Sequence, residues 1–260
     1  MPRVVATDLD GTLLRSDGSL SDRTRRAIVA AEAAGVPTLF VTARPPRWLD
    51  ELADAVGRHG IAICGNGAFV YDLVERQVTA SRGHDPALMA QVVADLREAV
   101  PGVTFAVERA DGMGREDAYA YPLEHDAVTV VAELSDVSAA PVGKLLARCP
   151  QLDPDEFLRL VESVVGSRVE LGYSGAIGLA EMTAPGVTKA SGLATWCDEQ
   201  GITAAEVWAC GDMPNDLPML RWAGRAHAVA NAHPDVLAVA DVLLASNDDD
   251  GVAALLESLV

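Results

Sequence analysis

Two carboxylates, Asp8 and Asp10, stand two residues apart at the end of the apolar run Val4-Val5-Ala6-Thr7, with Gly11 and Thr12 directly after them. On an extended backbone that spacing puts both side chains on one side. Two like charges so close repel by about 1 kcal/mol in water and about 4 kcal/mol at an effective dielectric of 20, so a fold that keeps them usually holds a cation. Gly11 lets the backbone turn tightly or approach a ligand closely. Alone, the pair reads as a strand running into a polar turn. A second acidic turn lies far downstream, where strand-like Val207-Trp208-Ala209-Cys210 ends in Gly211-Asp212-Met213-Pro214-Asn215-Asp216. In a parallel sheet, ligands bind beyond the carboxyl ends of the strands, so Asp8, Asp10 and Asp212 can meet at one edge. Three oxygen donors would hold one hard cation there. Mg²⁺ suits them, because it takes a few carboxylates plus waters and substrate phosphate, whereas calcium recruits more protein ligands. Thr42 closes another predicted strand and can donate to a phosphate oxygen at the same edge. Lys189, near a predicted helix start, supplies local positive charge.

The elements that must position these residues follow from the pattern around them. The first third alternates strand-like and helix-like segments, as in a parallel sheet with helices on its faces. Strands are expected at 4–7, 38–41 and 61–64. Ser21 caps a helix over 22–34 that Gly35 stops, and Pro45-Pro46 opens another through Trp48, Leu49, Leu52 and Val56 that Gly57 ends. Gly65-Asn66-Gly67 reads as a turn before a hairpin at 69–71 and 77–79. The last third resumes the alternation, with helices at 190–199, 217–222 and the C-terminus and strands at 206–210 and 226–229. Between them, helices are expected at 86–100 and 153–165 and strands at 103–108, 118–121, 144–148, 168–173 and 177–182, with 128–134 unassigned. This reads as an α+β module, 83–183, inserted into an α/β core made of 1–82 and 184–260.

Composition narrows the partners. Half of the 260 residues are hydrophobic, enough to bury a large core, and the formal net charge is -18. That charge argues against nucleic acid and against an anionic membrane surface, both of which attract basic patches. An anionic substrate would need local cations or a metal. With no signal-like or membrane-length segment, a cytoplasmic protein is expected. Cys64, Cys149, Cys197 and Cys210 lack the spacing of a zinc site and read as buried thiols. His59, His84, His125, His227 and His233 show no ligand spacing and read as surface or satisfied structural residues. The oligomeric state, monomer or homodimer, is not set by the sequence.

Asp8-Leu9-Asp10-Gly11-Thr12, Val41-Thr42-Ala43-Arg44, Lys189 and Gly211-Asp212-Met213-Pro214-Asn215-Asp216 resemble, in order, the four motifs of the haloacid dehalogenase-like superfamily. Cys64-Gly65-Asn66-Gly67-Ala68, Gly186-Val187-Thr188-Lys189, Ala230-Asn231-Ala232 and Ser246-Asn247-Asp248-Asp249-Asp250-Gly251-Val252 look like its Cof-type phosphatase branch. The resemblance implies a Rossmann-like parallel-sheet core with an inserted α+β cap domain. It implies Asp8 as the nucleophile that forms an aspartyl-phosphate, and Asp10 as the general acid that protonates the leaving oxygen and then activates water. It implies Mg²⁺ held by Asp8, the backbone carbonyl of Asp10 and Asp212, with Thr42 and Lys189 on the phosphoryl oxygens and Asn215 on phosphate or substrate. Asp216 would orient Lys189 or a metal-bound water. Ala43 stands where the branch commonly has glycine, and Pro214 removes one backbone donor from the fourth motif.

The reaction so implied is Mg²⁺-dependent hydrolysis of a small phosphorylated metabolite, with sugar phosphates first. A phosphomutase or phosphotransferase on sugar phosphates is the alternative, followed by a non-catalytic sugar-phosphate sensor. Arg44 and Arg47 are candidate clamps for an anionic substrate or surface arginines at a helix start. In the cap, Glu124, Lys144, Tyr173 and Ser174 are polar residues near predicted strand ends that either face the core or lie on the cap surface. The stretch 246–257 comes close to a calcium loop, but Ser246 stands where the first aspartate belongs, and it reads as a solvated helix start. Linkers at 81–85 and 183–186 are candidate hinges.

Overall fold

Strands buried on both faces need near-continuous apolar runs, and the chain supplies them at the centre of its first sheet. The computed structural model describes residues 1–55, 60–120, 128–132, 134–136 and 141–260. In it β1 (Val4–Thr7) and β2 (Thr38–Val41) are wholly buried and pair in parallel, and β3 (Ile61–Cys64) joins β2 in the same sense. Between β1 and β2 lies α1 (Asp22–Ala33). The Ser21 side chain accepts from the Thr24 N–H at its start, and Thr24, Ala27, Ile28 and Ala31 form its buried stripe. After β3 the sheet turns antiparallel through the hairpin β4 (Phe69–Asp72) and β5 (Gln77–Ser81).

The chain then leaves for a second sheet. α2 (Pro86–Ala99), β6 (Thr104–Arg109), β7 (Gly112–Glu116), β8 (Val128–Val131), β9 (Val142–Arg148), α3 (Pro154–Val165), β10 (Glu170–Gly172) and β11 (Ala180–Thr183) follow in order. These strands lie as β10-β11-β9-β6-β7-β8. Period-two alternation gives β9 two characters. Leu145 and Ala147 join the apolar cluster that includes residues of α2 and α3, whereas Lys144, Leu146 and Arg148 line a cavity shared with the first sheet.

The return completes the first sheet with α4 (Lys189–Glu199), β12 (Val207–Gly211), α5 (Leu217–Trp222), β13 (Arg225–Ala228), α6 (Pro234–Leu237), β14 (Val242–Leu243) and α7 (Gly251–Glu257). Its order is β14-β13-β12-β1-β2-β3-β4-β5. β12 pairs in parallel with β1, Thr7 opposite Cys210, so the two acidic turns leave the sheet side by side. Where the chain crosses between the sheets, the His84 N–H donates to the Val142 carbonyl, and His84 Nε2 lies 3.0 Å from the Met182 carbonyl oxygen. Burial pulls the His84 imidazole below its ordinary range. Among the described residues, no helix is long and apolar enough to cross a membrane.

Three expectations need correction. The helix expected after Pro45-Pro46 is instead two 3₁₀ segments, Pro46–Trp48 and Asp50–Ala55. Prolines at a first turn are compatible with an α-helix, and the difference lies in the bonds that follow, the tighter ones from Trp48 to Pro45 and from Leu49 to Pro46. The end expected at Val56 and Gly57 lies outside the described residues, as do His59 and His125. The strand expected at 118–121 is a turn over 117–119, with Tyr121 outside the described residues, and the real strand is β7. Gly112 and Gly114 conceal its pattern. Residues 128–131, left unassigned, form β8, which pairs in parallel with β7, whereas the other strand pairs described in the second sheet are antiparallel.

α4 approaches the turn at Gly65-Asn66-Gly67 so closely that a Cβ on Gly192 would lie 2.6 Å from Ile63 Cγ2 and 2.9 Å from the Gly67 Cα. The backbone side of that contact cannot yield as a flexible side chain would. Gly192→Val is therefore expected to destabilise the protein by about 1–3 kcal/mol, measured as a fall in the denaturation midpoint.

Candidate active site

The site is assembled at the carboxyl ends of three parallel strands and the amino end of one helix. The Asp8 N–H donates to the Cys210 carbonyl at 3.0 Å, which fixes the first acidic turn against the second strand that carries acid. Thr188 caps α4 reciprocally with Ser191, so Lys189 is held at the first helical position. Its Nζ donates to Asp8 Oδ1 and to Asp216 Oδ1, both at 2.6 Å. The other Asp216 oxygen accepts the N–H groups of Asp212 and Met213 at 3.0 and 3.1 Å. Both Asp216 oxygens are thus engaged, the arrangement of a residue that orients Lys189. Thr12 Oγ1 donates to Asp212 Oδ1 at 2.7 Å. Gly11, with φ +79°, lies so close to the Asp212 carboxylate that a Cβ would overlap it.

Carboxylate oxygens of Asp8, Asp212 and Asp216 lie within 4.8 Å of one another, all three residues buried. One ammonium, bonded to Asp8 and Asp216, stands among three carboxylates, a formal surplus of two negative charges out of water. Burial, reinforced by Asp216 and Asp212 and opposed by Lys189, pushes the Asp8 carboxyl well above its ordinary range. Burial and then Asp216 push Asp212 up to about 6. Burial works against the Lys189 ammonium, but Asp216 and Asp8 outweigh it and hold it above lysine's ordinary range. A divalent cation beside Asp8 and Asp212 matches this surplus in sign and size.

Asp10 is partnered separately. Asp8 and Asp10 both line the cavity, but β1 ends at Thr7 and the Asp10 carboxylate stays outside the buried carboxylate cluster. It is 57 % exposed and takes two bonds from the Arg44 guanidinium, at 2.8 and 2.6 Å. Its turn is held from the C-terminal segment. Asn231 Nδ2 donates to the Gly11 carbonyl, and Asn247 Nδ2 donates to the Leu14 carbonyl. Thr42 Oγ1 accepts the Arg44 N–H at 3.0 Å, which leaves its own hydrogen to donate elsewhere. The Thr42 and Arg44 carbonyls accept from Asn66 and Gly65, whose turn places Asn66 at φ 57°. Asn215 Nδ2 donates to Asn66 Oδ1 at 3.2 Å, and Asn215 Oδ1 and Asn66 Nδ2 are buried without a partner.

A cavity of about 230 Å³ runs from Asp8, Asp10 and Thr42 to a roof on the second sheet. Lys144 Nζ reaches from that roof to the Ala43 carbonyl at 2.8 Å and to Glu181 Oε1 at 2.6 Å. Arg47 is ion-paired to Glu108, so it ties the floor to the roof. Lys144 and Ser174 line the cavity, while Tyr173 is 41 % exposed along a neighbouring cleft with Asn66. Glu124 lies outside the described residues. Asn66, from the Gly65-Asn66-Gly67 turn singled out by sequence, lines the neighbouring cleft, and Glu108, Tyr119, Arg148 and Glu181, which were not singled out, line the cavity. For Glu108, Arg148 and Glu181 the available signal was a charged residue within otherwise apolar strand segments. In the stretch compared with a calcium loop, Asp250 is ion-paired to Arg15 and Asp248 accepts from Ser16, and α7 starts at Gly251.

A family model of haloacid dehalogenase-like hydrolases matches residues 5–256. The 5-amino-6-(5-phospho-D-ribitylamino)uracil phosphatase YcsE of Bacillus subtilis is 28% identical, the match covering 96% of this chain and 93% of that protein. Pyridoxal phosphate phosphatase YbhA of Escherichia coli is also 28% identical, covering 98% of each chain. Among solved structures, the sugar phosphatase BT4131 superposes with a TM-score of 0.81 at 24% identity, over 99% of this chain and 100% of that one.

Removing the lysine that serves two buried carboxylates leaves them facing each other. Lys189→Met is expected to lower the stability of the metal-free protein at neutral pH by about 3–5 kcal/mol. Urea denaturation checks this, and an unchanged midpoint would show that Lys189 does not carry the charge balance.

Proposed function

The chain belongs to the haloacid dehalogenase-like hydrolases, and we propose that it is a Mg²⁺-dependent phosphatase of a small phosphorylated metabolite, acting through an aspartyl-phosphate on Asp8. The observation that carries this reading is the Asp8 carboxylate itself. It is buried in the lining of a cavity, held by Lys189 at 2.6 Å and within 4.8 Å of the Asp212 and Asp216 carboxylates. The relatives named above act on small phosphate esters by their names, and sugar phosphates are the first class to test. In this reading, residues 1–82 and 184–260 form the catalytic core and 83–183 the cap.

Asp8 attacks phosphorus: a bond forms between its carboxylate oxygen and phosphorus while the ester P–O bond breaks. Lys189 and the Thr42 hydroxyl hold the phosphoryl oxygens, and Asn215 either turns its Nδ2, now on Asn66, toward the phosphate or accepts a substrate hydroxyl at its unpartnered Oδ1. Arg44 holds Asp10 in the free protein. An entering phosphate competes for that guanidinium, and Asp10 then gives a proton to the departing ester oxygen. In the second step Asp10 takes a proton from the water that attacks phosphorus, and Asp8 is released. Bound by Asp8, Asp212 and the Asp10 carbonyl, Mg²⁺ would offset repulsion between the aspartate and the phosphate dianion. Uncatalysed phosphate ester hydrolysis is so slow that accelerations reach about 10²¹, more than any single residue supplies. Opening of the cap would break the Lys144 to Ala43 bond and the Arg47 to Glu108 pair, with 81–85 and 183–186 as the hinge.

Phosphate release from p-nitrophenyl phosphate and from a panel of sugar phosphates tests the reading. Chelation by EDTA is expected to stop turnover and Mg²⁺ to restore it. Asp8→Asn is expected to abolish turnover with folding intact, and Asp10→Asn to lower kcat by about 10²–10⁴-fold. Interconversion of sugar-phosphate isomers without phosphate release would instead identify a mutase, and substantial activity in Asp8→Asn would remove the nucleophile assignment.

A further inference from the structure

We infer that the leaving group of the substrate carries a second anion, a carboxylate or another phosphate, remote from the ester and received by Arg148. The inference rests on the phosphatase reading of the same cavity. β9 runs along the roof away from the reacting end. Lys144 reaches the Ala43 carbonyl beside Thr42, Leu146 comes next, and Arg148 closes the strand. Four residues of strand separate the first Cα from the last by about 13 Å. The cavity therefore has a phosphate end and a distal end.

The carboxylates along it each meet a cation: Asp8 shares Lys189 with Asp216, Asp10 has Arg44, Glu108 has Arg47 and Glu181 has Lys144. Arg148 is the cation left over. Among the described residues it meets no carboxylate. Its Nη1 donates to the Ile177 carbonyl at 3.1 Å, and the guanidinium lies against the buried Tyr119 hydroxyl, but its Nε is buried with no acceptor. Buried donors are satisfied as a rule, and a guanidinium with an unused N–H beside a phenol hydroxyl is a built receptor for carboxylate or phosphate oxygens.

Leu146 and Leu179 line the same cavity, so the span between ester and distal anion is apolar on that side, suited to a carbon chain or the face of a ring. The protein's charge of -18 repels anions at long range. Selection for an anionic leaving group must then come from a local cation, and among the described residues that line the cavity Arg148 is the one without a carboxylate partner.

Two matched pairs of esters test this. 6-Phosphogluconate differs from sorbitol 6-phosphate by a carboxylate in place of the terminal CH2OH, and fructose 1,6-bisphosphate differs from fructose 6-phosphate by a second phosphate. In at least one pair, kcat/KM is expected to favour the doubly anionic ester by tenfold or more, and which pair responds identifies the anion. Arg148→Met is expected to bring that ratio close to one, and Arg148→Lys, which keeps the charge, to retain most of it. Ratios near one in both pairs for the unaltered protein, or a ratio that survives Arg148→Met, would overturn the inference. Calorimetric titration of Asp8→Asn protein with the same esters reads the preference as a ratio of Kd without turnover. Absence of phosphate release from p-nitrophenyl phosphate would overturn the phosphatase reading, and the titration would still decide the anion receptor.

Discussion

The surplus of buried negative charge around Lys189 is the constraint from which the rest of the molecule follows. Asp8, Asp212 and Asp216 crowd one ammonium in a space that excludes water. Such a cluster survives only where geometry is fixed on every side. The fixing elements are visible: β1 against β12, the cap on α4, the Thr12 hydroxyl on Asp212, and two backbone N–H groups on Asp216. Glycines at 11, 192 and 211 let backbone pass where any side chain would collide. The pairing of β1 with β12 and the Thr12 bond to Asp212 join segments some two hundred residues apart, whereas the α4 cap and the N–H groups on Asp216 are local.

The second sheet adds a roof whose polar residues are also committed. Lys144 spends one bond on Glu181 and another on the Ala43 carbonyl, between Thr42 and Arg44. The alanine at 43 does not obstruct that loop, because the contact uses its carbonyl. Arg47 and Glu108 make a second tie between floor and roof. Buried ion pairs contribute little net stability, since desolvation offsets most of their attraction, but they fix where partners meet. Here they place the roof over the reacting end and leave the distal end to Leu146, Tyr119 and Arg148.

Much of this was legible in the chain wherever a residue's role follows from its neighbours in sequence. The apolar run before Asp8, the cap at Ser21, the prolines opening α2 and α3 and the acidic turn after β12 each announce their element locally. Lys189 was readable because a helix start lies beside it. The 3₁₀ segments after Pro45 were misread because apolar spacing does not separate 3₁₀ from α bonding, and β7 was missed because glycines carry no alternation. The partners of Asp10 and Lys144, and the roles of Glu108 and Glu181, depend on register between strands distant in sequence. Asp10 looked like one half of a cation site from spacing alone, whereas its carboxylate is held by Arg44.

The central claim is that Asp8 becomes covalently bonded to phosphorus. Rapid acid quench during turnover of p-nitrophenyl phosphate, followed by borohydride reduction and peptide mass analysis, tests it directly, because an acyl phosphate is reduced to the alcohol. The account predicts homoserine at position 8. Turnover with an unreduced aspartate at that position, or with the reduced residue elsewhere in the chain, would contradict it.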